Sequence, residues 1–184
     1  MIPRLTPLRP EDLTAEQAAL YAAIAGGSRA QRPQHFPLTA PDGSLRGPFD
    51  AMLRSPAVGT AQQELGAAIR FRTTLSDRAR ELAILLVAAR WSSAFEREAH
   101  EAVARAAGLG DEELAALAAE DVSGFAGVEE AVGLATLALL DGDLSDAEWD
   151  RTRSALGIDG VFELAALVGY YSTLALQLRV FRVG

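Results

Sequence analysis

Along this chain apolar residues recur three and four positions apart, and helix-starting or helix-stopping residues bracket nearly every run. Thr14 with Gln17 reads as a capping box ahead of AEQAALYAAIA, and Gly26-Gly27 ends that run. Pro48 and Pro56 open two further helices, PFDAMLRS and the segment through AVGTAQQELGAAIRF, because a first turn tolerates the missing N–H. Ser76 and Asp77 start DRARELAILLVAARW, which is apolar nearly all round and so is expected at the centre. AFEREAHEAVARAAGLG stops at Gly108, with Leu109 placed for the contact that accompanies a left-handed helix end, and Asp111 is expected to cap the next helix. Helices are further predicted over 111–119, 127–140, 146–156 behind the Ser145/Glu148 box, and 161–181. No strand alternation bounded by hairpin turns is visible, and no period of 20 to 50 residues repeats. The pattern predicts an all-α protein.

One segment breaks this regularity. Residues 28–47, SRAQRPQHFPLTAPDGSLRG, form a proline- and glycine-rich loop, of a length usually kept for function or mobility. The single short helix before it cannot enclose a core. Residues 1–47 are therefore read as an N-terminal arm and long loop packed on a helical domain over 48–184.

Charge and composition narrow the function classes. The 184 residues carry a formal net charge of -8, with no basic stripe to drive counterion release, so no nucleic acid is expected as partner. The same balance disfavours adsorption to anionic membranes, the N-terminus lacks an apolar signal core, and LAILLVAA is far shorter than a bilayer span. A cytoplasmic protein is the expectation. Cysteine is absent, which removes disulfides and thiol catalysis.

Candidate chemistry gathers at WSSAFEREAH. On a helical wheel for 95–107, Phe95, Ala99, Ala102, Val103, Ala106 and Ala107 form an apolar arc, with Arg97, Glu98, Glu101 and Arg105 opposite. Glu96 falls inside that arc and His100 at its edge. If the helix reached back to Ser93, then Ser93, Glu96 and His100 would share one stripe. A shielded carboxylate–imidazole pair can share a proton near neutral pH and suits general acid–base work. A Glu and a His four apart also commonly form a modest solvent-facing pair, and both readings stand at this point. Glu81, beside Arg80, would lie about 120° from the Ser93 stripe on one straight helix, so only a bend at WSS would bring it in. Otherwise it is an N-terminal helix acid paired with Arg80 or Arg78.

The stretch RELAILLVAARWSSAFEREAHEAVARAAGLGDEELAAL, with GPFDAMLRSP upstream and ELAALVGYYSTLAL downstream, resembles the carboxymuconolactone decarboxylase family, which includes the alkyl hydroperoxidase D-like proteins. The peroxidase branch has a glutamate, eleven residues, Cys-x-x-Cys, and a histidine four residues after the second cysteine. On this chain the glutamate is Glu81, the cysteine positions are Ser93 and Glu96, and the histidine is His100. A thiol peroxidase needs a thiolate and a resolving thiol, and neither exists here. The resemblance therefore implies the decarboxylase side of the family: an alkyl hydroperoxidase D-like helical bundle with an N-terminal arm, a homo-oligomer (trimer or hexamer), and a cofactor-independent lyase acting on a small carboxylated molecule.

In that reading His100 is the proton donor, Glu96 sets its tautomer and charge, and Glu81 is the relay or second acid. An anionic substrate would want a cation, for which Arg70, Arg72 and Arg80 are nearest in sequence, and Arg70 and Arg72 cannot share a helix face. Ser93 and His35, in the long loop, complete the candidate substrate contacts. A tyrosine of GYY could turn its hydroxyl to a cavity, although helix packing is the commoner use. Glu81, Glu96 and His100 could in principle hold a divalent ion, but with only two histidines in the chain no metal is expected. The alternative from another class is a catalytically silent oligomer that binds a small ligand.

Overall fold

The segment expected at the centre is shielded along nearly its whole length: every residue from Ala79 to Ala88 is buried. The structure, a computed structural model, describes residues 2–27 and 36–183. Its helices are α1 (Ala15–Ala25), α2 (Pro48–Met52), α3 (Pro56–Phe71), α4 (Asp77–Arg90), α5 (Ala94–Ala106), α6 (Asp111–Ala118), α7 (Val128–Asp141) and α8 (Asp146–Phe181). Among the described residues there is no strand, only an isolated bridge between Thr39 and Leu45. The protein is all-α.

The helix ends follow the chemistry of their residues. Thr14 and Gln17 form a reciprocal capping box at α1, Ser76 Oγ accepts from Ala79 N at α4, and Ser145 with Glu148 does the same at α8. Gly108 ends α5 with φ +95, and Leu109 N donates to Ala104 O while Gly108 N donates to Arg105 O. Asp111 is the first residue of α6, not its cap. The cap is Gly110, whose N–H is accepted by the Glu113 carboxylate at 2.7 Å.

The two helices predicted over 146–156 and 161–181 meet with no loop between them. They form α8, broken at Gly157, where φ 69 and ψ 174 depart from the helix. Part of α8 is long and apolar enough to cross a membrane by composition, yet half of that window is buried within the protein, as in a core helix.

Contacts divide the chain into two units, Met1–Ala68 with Leu176–Gly184, and Ile69–Ala175. The first contains the arm. There Asp50 accepts from Leu8 N at 2.8 Å and from Arg54 at 3.1 Å, Tyr21 donates to Gly43 O, and Gln17 donates to Leu53 O. In the second, α4 packs against α5, α6 and α7. Gly133 of α7 lets that helix approach closely: a Cβ there would lie 2.8 Å from Val122 Cγ1 and 3.1 Å from Val122 Cβ.

Candidate active site

The bend needed at WSS is present. α4 is capped at Trp91, and Ser92 takes a left-handed backbone conformation, φ 51. Ser93 N donates to Ala88 O and Ser92 N to Ala89 O, the pair of bonds that closes a helix through a left-handed residue. Serine has a Cβ and lacks glycine's freedom there, so nothing in the residue type advertises the turn. Ser93 follows with φ -86 and ψ 96 as the N-cap of α5. The helix therefore does not reach back to Ser93, which leaves the Glu96–His100 stripe one turn short of the expected one. Ser93 Oγ is buried and makes no hydrogen bond among the described residues.

This turn folds α5 back along α4 and brings Glu81 to His100. His100 Nδ1 lies 2.6 Å from Glu81 Oε2. At the other ring nitrogen, Nε2 is 3.6 Å from Glu96 Oε2, beyond direct hydrogen-bond range. All three side chains are shielded: Glu81 is 0% exposed, Glu96 3% and His100 6%. The buried face of α5 comprises Glu96, Ala99, His100 and Ala104, so His100 sits within it and not at its edge, and Ala106 turns outward. The solvent-facing alternative for the Glu–His pair does not describe this arrangement.

Burial alone would raise the Glu81 carboxyl. The charge and hydrogen bond of His100, together with the charges of Arg70 and Arg80, outweigh it and hold Glu81 below its ordinary value. The contact that orients the imidazole thus belongs to Glu81. A carboxylate that accepts at Nδ1 places the proton there and leaves Nε2 facing Glu96. Tyr171 packs edge-on to His100, with ring centres 5.1 Å apart and planes at 87°, and Tyr170 packs on Tyr171 in turn. Burial pushes the Tyr171 hydroxyl up, against the pull of Arg70.

The remaining candidates separate. Arg80 is buried, its Nη2 2.5 Å from Asp77 and its Nε 3.6 Å from Glu81 Oε1, so it is held by acids. Arg72 is exposed. His35 lies outside the described residues. Arg70, in the last turn of α3, is half-buried and acts on Glu81 and Tyr171 through its charge. Among the described residues no cluster of three or more His, Asp and Glu side chains is arranged to hold a metal ion. An open groove of about 570 Å³ runs beside this region. It is lined by Leu85, Ala88, Ser93, Arg97, Glu101 and Leu114 among others, and none of Glu81, Glu96 or His100 reaches it.

No family model matches the chain, and no curated protein matches it. The all-helical architecture is shared with a solved structure. That structure is the debrominase Bmp8, as a cysteine-to-alanine variant in complex with 2,3,4-tribromopyrrole. The likeness has a TM-score of 0.74, covers 100% of this chain and 92% of that chain, and comes with 13% sequence identity.

Proposed function

We propose that the protein is a cofactor-independent lyase of the carboxymuconolactone decarboxylase type, acting on a small carboxylated organic molecule by acid–base catalysis. The observation that carries this reading is the 2.6 Å contact between His100 Nδ1 and Glu81 Oε2 in a fully shielded setting, with a second carboxylate beyond Nε2. That a protein of the same architecture holds a small ring compound supports a small-molecule site. Without cysteine the chain cannot act as a thiol peroxidase.

In the reaction, the C–C bond to the substrate carboxylate breaks, CO2 leaves, and the electron pair passes into the conjugated carbonyl as a dienolate. His100, protonated and stabilised by Glu81, delivers its Nε2 proton to carbon and is reprotonated from water. Glu96, whose Oε2 lies 3.6 Å from Nε2, is placed to relay that proton. The low-dielectric wall of α4 and α5 favours loss of charge as neutral CO2. We further propose a cytoplasmic homo-oligomer, trimeric or hexameric, that engages neither nucleic acid nor membrane. Ile158 and Phe162, one turn apart on α8 and 57% and 76% exposed, are the residues a partner copy would cover.

The test is CO2 release from a panel of unsaturated carboxylated lactones and β-keto acids. His100→Ala and Glu96→Gln should abolish it while helicity is unchanged; turnover retained in both would sink the assignment. One observation favours a second reading, a silent ligand-binding protein: the groove is separate from the carboxylate–imidazole cluster. Saturable binding there with no turnover of any acid would favour it.

A further inference from the structure

We infer that Arg70 forms an oxyanion-binding pole of the site, which takes the carboxylate of a small organic acid and presents it to the Glu81–His100 pair. This rests on the acid–base reading above and adds a residue and a ligand class to it. In the unit Ile69–Ala175, the other shielded arginines all have carboxylate partners, although the buried Nε of Arg80 also makes no hydrogen bond among the described residues. Arg78 meets Glu113 and Glu129, Arg80 meets Asp77, and Arg90 meets Glu120 and Asp141, all within 3.1 Å at their closest atoms. Arg70 is half-buried and has no carboxylate within 4.0 Å among the described residues. Its Nε is buried and makes no hydrogen bond among the described residues.

A shielded, charged N–H without an acceptor costs free energy that a ligand anion would recover. The Arg70 guanidinium carbon lies 5.6 Å from the Phe71 ring centre, within range of a cation–π contact. It stands beyond ion-pair distance of Glu81, yet its charge reaches both Glu81 and Tyr171. Those two residues flank His100, one hydrogen-bonded to it and the other edge-on to its ring. An anion held by Arg70 would therefore act on the same two residues that contact the imidazole. It also restores local balance, since Glu81 is already matched by His100 and Arg80.

The probe is sodium benzoate, with benzyl alcohol as its neutral counterpart, titrated into the full chain while the His100 ring C–H signals are followed by NMR. Only two histidines occur, so His35→Gln leaves one imidazole to follow. Benzoate should shift that signal saturably, and benzyl alcohol should not. Arg70→Met should weaken benzoate by about tenfold or more, Arg70→Lys should recover part of the loss, and the exposed Arg72→Met should leave it unchanged. Equal affinity in Arg70→Met, equal loss in Arg72→Met, equal binding of the alcohol, or no saturable response in the wild type would each overturn the proposal. If Arg70→Met does not fold, the comparison of Arg70→Lys with wild type carries the test: undiminished, charge-independent binding overturns it. Benzoate binding at Arg70 with no decarboxylation of any acid would leave this site standing and remove the lyase reading. Turnover that needs His100 but ignores Arg70 would do the reverse.

Discussion

His100 Nδ1 meets Glu81 Oε2 at 2.6 Å across a helical hairpin, although the two residues stand 19 apart in sequence. A contact this short between fully shielded groups sets the proton on Nδ1 and ties α5 to α4 at the middle of the packed unit.

Removing one partner of that pair leaves the other buried without its match. Glu81→Gln and His100→Ala should each lower the unfolding free energy by about 3 kcal/mol. A double-mutant cycle by urea denaturation should return a coupling above about 1 kcal/mol, and additivity would show that the contact contributes nothing of its own.

The pair also predicts an acid-sensitive component of stability. Glu81 is held below its ordinary 4.5 in the folded state, so in that range the unfolded chain binds its proton more readily and stability rises with pH. The contribution is fully present above pH 4.5 and is lost as pH falls through the lower folded value. Unfolding curves between pH 3 and 7 should steepen for wild type relative to Glu81→Gln; parallel curves would contradict the assignment.

Ser92 holds a left-handed backbone at φ 51 with a side chain that disfavours it. Ser92→Gly should raise stability by about 1 kcal/mol, and Ser92→Val should lower it by at least as much. The same comparison at Glu120, φ 57, provides an internal control in a turn remote from His100 in sequence.

Gly133 should not accept a methyl group. A Cβ 2.8 Å from Val122 Cγ1 and 3.6 Å from Leu82 Cδ2 must displace packed side chains, so Gly133→Ala should cost about 1 to 2 kcal/mol despite alanine's better helix propensity. A stabilised variant would mean that Val122 yields freely.

The proposed oligomer has its own readout. Phe162→Glu places a charge on the exposed apolar pair of α8 and should shift the mass measured by light scattering towards the monomer. A wild type that is already monomeric would remove the proposal.

What could be read from the sequence was what local chemistry writes there. Thr14/Gln17, Ser76 and Gly108 mark helix ends through their own hydrogen bonds or backbone freedom, and the unbroken apolar run of α4 announces burial. Glu96 was legible as a carboxylate on the wrong side of its helix. Glu81 entered the site only through the family resemblance and on condition of a bend at WSS, because it reaches His100 through a left-handed serine, and serine has no pattern that signals such a turn. Arg70 was one of three equivalent arginines until folding matched or exposed the others. The seam at Gly157 shows the same limit: a single glycine marks the interruption, but the pattern alone could not tell a break from a loop.

The Ser92–Ser93 corner has an evolutionary corollary. Because it sets where α5 begins relative to α4, inserting a single residue between Ala94 and His100 would swing the imidazole by about 100° around its axis and away from Glu81. Descendants of this chain should therefore vary in the identities around the corner far more readily than in the count of residues that separates the acid from the base.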